Sequence, residues 1–187
     1  MNFIVYCGAS EGKNEIYRQA AKQLGEWMAQ KGYGLVYGGG NVGLMGKLAD
    51  TIKQHHGHVI GVMPRFLEEK EIAHQGLDEL IIVDTMAERK AVMLEKGDVC
   101  IALPGGPGTL EEITEMVSWA RIGQNDNPCI FFNVSGYYDK MAAFYDQMVE
   151  EGFVSQADRD LILFTDDFDA LEDFIHHYEA PHARKYK

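Results

Sequence analysis

The stretch Leu103-Pro-Gly-Gly-Pro-Gly-Thr-Leu-Glu-Glu112 gathers three glycines, a threonine and two carboxylates behind an apolar run. Glycine lets a backbone approach a ligand closely, and Gly105, Gly106 and Gly108 would make such a turn. Thr109 stands where a helix N-cap is expected. A helix N-terminus offers unpaired N–H groups and partial positive charge, a seat for an anion. Two acids beside such a seat call for a reason. Thr109 and Glu112 have capping-box spacing, and Glu111 would suit any first helical turn. Helical phase separates the two acids. Glu112 aligns with Met116 and Trp119 beside the stripe Ile113, Val117 and Ala120, whereas Glu111 aligns with Glu115 and Ser118. A carboxylate aimed at apolar surroundings is costly. The pattern leaves two readings for Glu112: a cap for its own helix, or a carboxylate that does chemistry.

A second helix start, Asp84-Thr-Met-Ala-Glu-Arg-Lys90, repeats the spacing in Thr85 and Glu88. Arg89 lies in phase with Met86, Val92 and Met93. Its planar fork suits a phosphate or a carboxylate, unless it only snorkels or pairs with Glu112. A third candidate is Gly38-Gly39-Gly40-Asn-Val-Gly43, which contains G-x-G-x-x-G. A dinucleotide fingerprint belongs on the first strand–helix turn, with an acid at the end of the next strand. This turn follows the second strand, and the next strand ends in Met63 and Pro64, so NAD is disfavoured. A phosphate loop of the G-x-x-x-x-G-K-[ST] type fails too, since Leu48 follows Lys47. Gly38, Gly39 and Gly40 then either form a tight packed turn or present N–H groups to an anion.

These residues need elements to position them. Seven short apolar runs (FIVYCG, GLVYGG, HVIGVMP, ELIIVD, GDVCIALP, PCIFFN and LILF) read as strands buried on both faces. Helical patterns over about 14–31, 43–56, 86–96, 109–123, 137–151 and 167–178 alternate with most of them. The expected architecture is α/β: a Rossmann-like, doubly wound, mostly parallel sheet of about seven strands with helices on both faces. Ligands in such sheets bind beyond the carboxyl ends of the strands, where the turns CGASEG, YGGGNVGLMG and LPGGPGT fall.

The chain has 187 residues, 46% of them hydrophobic, which fits one domain over 1–187 with a frayed tail at about 179–187. A net charge of −12 argues against a broad nucleic-acid surface. No run approaches the roughly 20 apolar residues of a membrane span. The first apolar run has no basic stretch ahead of it and reads as a strand, not a signal peptide. Cys7, Cys100 and Cys129 are spaced like buried free thiols, which suits a reducing cytoplasm.

Taken together, Arg89-Lys90 and the PGGPGTLEE stretch resemble the LOG ("Lonely Guy") family of cytokinin riboside 5′-monophosphate phosphoribohydrolases, often labelled lysine decarboxylase-like. The family's P-G-G-x-G-T-x-x-E appears as Pro104, Gly105, Gly106, Gly108, Thr109 and Glu112. Its M-H-x-R-K appears as Met86, Arg89 and Lys90, with Ala87 in the histidine's place. CGASEG, VYGGGNVGLMG, EIAHQGLDEL, SWARIG and GYYDKM are also similar to family stretches, to about residue 160. Ala87 and Pro107 depart from the pattern and bear on base preference.

The resemblance implies hydrolysis of a nucleoside 5′-monophosphate, AMP or an N6-modified AMP, to free base and ribose 5-phosphate. By the same mapping the catalytic pair is Arg89 and Glu112. Glu71, Lys90, Gly106, Gly108 and Ser118 join the pocket, with phosphate on the loop and Thr109. No metal or organic cofactor is implied, and a homodimer is. A pyridoxal-phosphate decarboxylase would need a Schiff-base lysine context that the chain does not display. A non-catalytic nucleotide-binding module on the same fold is the alternative, although such a module gains nothing from a carboxylate beside its anion.

Overall fold

The computed structural model describes residues 1–68 and 73–181. Strands and helices alternate as β1 (Asn2–Tyr6), α1 (Glu15–Gln30), β2 (Gly34–Tyr37), α2 (Gly43–Gln54), β3 (Val59–Pro64), α3 (Arg65–Glu68), β4 (Glu79–Val83) and α4 (Met86–Lys96). There follow β5 (Val99–Ala102), α5 (Pro107–Arg121), β6 (Cys129–Phe132), α6 (Asp139–Glu150), α7 (Gln156–Asp160), β7 (Ile162–Thr165) and α8 (Phe168–His177). The seven expected strands are all present. The short helices α3 and α7 were not expected; each has too few residues to show a period.

The strands form one sheet in the order β4-β3-β2-β1-β5-β6-β7, and every pairing is parallel. Parallel strands need crossovers, and the helices supply them on both faces. Alternate residues serve opposite faces: Phe3 and Val5 pack toward α1 and α2, whereas Ile4 and Tyr6 pack toward α4 and α5. This is the doubly wound Rossmann-like arrangement expected from the apolar runs.

The chain winds outward from β1 to β4 and then crosses back to place β5 on the other side of β1. The order therefore reverses between β1 and β5. The loops leaving these two strands diverge there and open a crevice at their carboxyl ends. Leu103 N–H donates to the Tyr6 carbonyl at 2.9 Å, and Gly8 N–H to the Pro104 carbonyl at 3.1 Å, which tie the two loops together at its floor.

Candidate active site

Helix α5 begins three residues earlier than the threonine suggests. Gly106 is its N-cap, in an extended conformation, and Pro107 its first helical residue. Proline fits there because its φ is already helical and its missing N–H has no intrahelical partner. Thr109 is thus the third helical residue, and no side chain caps the helix. Of the two readings of Glu112, the cap falls away: with Gly106 as N-cap, Thr109 and Glu112 form no capping box. Glu112 lies one turn further in, buried on the face it shares with Ile113, Met116 and Ala120. Glu111 is exposed on the polar side.

Helix α4 does begin as expected, with Thr85 as N-cap and a complete capping box to Glu88. One residue on, Arg89 turns inward. Its Nη2 lies 3.7 Å from Glu112 Oε1, and the two side chains are 9% and 10% exposed. That distance allows attraction but is too long for a hydrogen bond. Among the described residues, Arg89 Nε is buried without a hydrogen-bond partner, and Nη1 has only the Met86 sulfur at 3.8 Å. A guanidinium carries five donors, so this one keeps capacity for a ligand's oxygens. It rests on Gly38, where an added Cβ would sit 1.9 Å from Nη2.

Arg89, Glu112 and Thr109 share a cleft of about 290 Å³ with Gly106 and Gly108. Cys7, Gly8 and Ala9 close one side, and Met45, Leu67 and Met86 give it an apolar wall. An added Cβ at Gly106 or Gly108 would meet nothing within 4 Å, so packing does not require glycine at either position. Both open onto the cleft, where a side chain would occupy ligand space. Gly105 differs: its added Cβ would strike Thr109 Oγ1 at 2.1 Å. The cleft therefore joins a helix N-terminus, a cation, a carboxylate and an apolar surface. Burial pushes the Cys7 thiol far above its usual range, helped by Glu112 and opposed by Arg89. Cys7 stays protonated and is a wall, not a nucleophile.

Residues 45–175 match a family model described as possible lysine decarboxylase. The chain is 43% identical over 159 residues to the cytokinin riboside 5′-monophosphate phosphoribohydrolase LOG5 of Arabidopsis thaliana, spanning 85% of this chain and 70% of that protein. It is 42% identical over 174 residues to the probable cytokinin riboside 5′-monophosphate phosphoribohydrolase LOGL9 of Oryza sativa subsp. japonica, spanning 93% and 77%. The chain belongs to the LOG family. Among solved structures, the Moco carrier protein of Chlamydomonas reinhardtii superposes with a TM-score of 0.70 at 19% identity, over 95% of this chain and 98% of that one. The molybdenum cofactor binding protein of Rippkaea orientalis gives 0.65 at 20%, over 94% and 95%. These two likenesses extend to the fold.

The site residues expected of a LOG chain divide in space. Arg89, Gly106, Gly108, Thr109 and Glu112 line the cleft, and Gly105 braces Thr109 behind it. Lys90 points elsewhere. Its ammonium donates to Glu111 and pairs with Glu115, joining α4 to α5 outside the cleft lining. Burial opposes its charge, but the two carboxylates outweigh that and hold its pKa above the ordinary lysine value. A Schiff-base lysine needs the reverse shift, and no lysine is among the described residues lining the cleft, so these residues do not fit a pyridoxal-phosphate site. Ser118 is exposed on the outer side of α5, and Ala87 is exposed outside the cleft.

Gly39 and Gly40 also lie outside the cleft lining. Gly39 has φ +79° and packs near Leu80 and Gly61, and Gly40 forms a bridge with Ala73. Of their two readings the structure favours the packed turn. Glu71 lies outside the described residues, as does the tail from 182 onward. Sequence reasoning missed Met45 and Leu67 in the cleft wall and Gly38 beneath Arg89. Met45 looks like ordinary helix core in sequence. The close approach of Gly38 to Arg89 joins residues far apart in the chain.

Proposed function

We propose that this LOG chain hydrolyses the N-glycosidic bond of a nucleoside 5′-monophosphate, AMP or an N6-modified AMP of the cytokinin type, to free base and ribose 5-phosphate. One observation carries the reading: a buried carboxylate and a buried, under-bonded guanidinium stand 3.7 Å apart in one cleft with the uncapped start of α5. The activity for which the relatives are named is the chemistry such a cleft suits.

The phosphate sits at the first turn of α5, where the N–H groups of Gly108 and Thr109 have no carbonyl of the helix to meet, and the Thr109 hydroxyl adds a donor. Arg89 orients the nucleotide and Glu112. As the C1′–N bond breaks, its electron pair leaves with the base, which takes a proton, and positive charge builds on the ribose. Glu112 stabilises that charge and accepts a proton from the water that adds to C1′. Met45, Leu67 and Met86 offer apolar surface for the base.

In this reading the chain is one nucleotide-binding domain of the cytoplasm, with no resident cofactor. No described helix is long and apolar enough to cross a membrane, and all three cysteines are free. A homodimer belongs to the proposal. Phe66 is 51% exposed next to the cleft-lining Leu67, and a second copy over that edge would cover it.

The test is product analysis of purified protein with AMP, ADP, ATP, adenosine and N6-prenyl-AMP. Free base and ribose 5-phosphate should appear in equal amounts from a monophosphate. Adenosine should react far more slowly, because phosphate binding helps to position the sugar. Binding of AMP without release of base would leave a binding module, and equal turnover of adenosine and AMP would remove the phosphate seat.

A further inference from the structure

The loop feeding α5 exposes carbonyl oxygens as well as N–H groups, and the two have opposite effects on an anion. All four carbonyls from Leu103 to Gly106 have a donor. The Tyr138 hydroxyl donates to Leu103 O at 2.7 Å, and the Tyr137 hydroxyl to Gly105 O at 2.6 Å. Backbone N–H groups take the other two: Gly8 to Pro104 O and Leu110 to Gly106 O, each at 3.1 Å. The Leu103 and Gly105 carbonyls are held by tyrosines that do not line the cleft, so they cannot swing their partial negative charge into it.

Two of these donors come from consecutive residues, 32 and 35 positions beyond the carbonyls they hold, an arrangement that regular structure does not provide. In a strand neighbouring side chains point to opposite faces. Here a turn after β6 brings both hydroxyls to one loop. Ser135 (φ 54°) and Gly136 (φ 70°) are both left-handed, which is costly for a serine. Asn133 holds the turn: its Oδ1 accepts from Tyr138 N–H at 2.6 Å, and its Nδ2 donates to Asp139 at 2.8 Å. Tyr138 is buried edge-on against Phe131. Tyr137 is 41% exposed and edge-on to both Tyr138 and Tyr17. An exposed tyrosine hydroxyl is readily satisfied by water, yet this one reaches the loop.

We propose that Tyr137 and Tyr138 are positioning residues for the substrate's phosphate: they hold the Gly105 and Leu103 carbonyls away from the cleft, so that it meets the N–H groups of α5. The inference rests on the nucleotide reading above. It places the recognition of one anion partly on residues outside the lining of the Arg89–Glu112 cleft, Tyr137 among them in the neighbouring hollow against Gly105 and Gly106.

The test compares wild type, Tyr137→Phe and Tyr138→Phe by KM and kcat for AMP and by competitive inhibition with inorganic phosphate. Tyr137→Phe keeps both ring contacts and loses one hydrogen bond. Its KM for AMP and its inhibition constant for phosphate should both rise about 3- to 10-fold, with kcat changed less than about twofold. Activity on adenosine, however low, should not change. Tyr138→Phe should act in the same direction; if it fails to fold, the exposed Tyr137 variant still decides. Unchanged KM and unchanged phosphate inhibition in Tyr137→Phe, with a wild type that prefers AMP to adenosine, would overturn the tyrosines' role alone. A wild type indifferent to the phosphate would overturn the nucleotide reading, and this inference with it.

Discussion

At the start of α4, Thr85 Oγ1 accepts from the Glu88 N–H at 3.1 Å, and Glu88 reaches back to the N–H groups of Asp84 and Thr85 at 2.8 and 3.2 Å. At the start of α5 the same Thr-x-x-Glu spacing does none of this. Gly106 and Pro107 begin that helix early, so Thr109 falls at the third position and Glu112 a turn beyond any cap. Glu88 is exposed, and Glu112 is buried beside Arg89. The difference shows that a capping box is decided by where the helix starts. A proline at the first helical position releases the threonine and glutamate behind it from capping, and leaves the N–H groups of the first turn without a side-chain cap.

That contrast can be broken from either side, and the largest effect should come from the cation of the α5 pair. In Arg89→Met the nucleotide loses its orienting group and Glu112 its counter-charge. Base release from AMP should fall by about 10²- to 10³-fold, the scale of a lost electrostatic group. Steady-state kinetics read it directly; a loss below tenfold would make Arg89 structural. Thr109→Val tests the seat itself. Valine keeps the shape against Gly105 but removes the hydroxyl, so KM for AMP should rise about 10-fold, as for one hydrogen bond to a charged group, with little change in stability. The smallest change belongs to the true cap. Thr85→Ala should cost about 1 kcal/mol in chemical denaturation and leave turnover untouched. If Thr109→Val destabilises like a lost cap and Thr85→Ala impairs turnover, the two helix starts have been assigned the wrong way round.

The sheet was legible because its evidence is local. Each of the seven apolar runs is nearly continuous, and a parallel sheet buried on both faces asks for that pattern. The phase of Glu112 was legible too, since three residues of drift in the helix start do not change which side of α5 it occupies. The start itself was not. With Thr109 expected as the cap, Pro107 fell in the loop ahead of it, although its fixed φ suits the first helical residue. The pairing of Lys90 was not legible for a different reason. Its direction is set by Glu111 and Glu115 on a neighbouring helix, a tertiary contact that no periodicity encodes. The glycines show the same limit. Gly38 serves Arg89, and Gly106 and Gly108 serve open space, yet all three look alike in sequence. Tyr137 reaching Gly105 across the fold is of the same kind.

The most direct measurement applies one substitution to both motifs: base release from AMP by Glu112→Gln and by Glu88→Gln, side by side with wild type. Glutamine retains a side-chain oxygen that can accept hydrogen bonds, so Glu88→Gln keeps its box and should turn over AMP at the wild-type rate. Glu112→Gln lacks the charge that a developing oxocarbenium requires, and its turnover should fall by about 10² or more while AMP still binds. Near-normal turnover in Glu112→Gln would contradict the account, and would leave the carboxylate of α5 as a structural neighbour of Arg89.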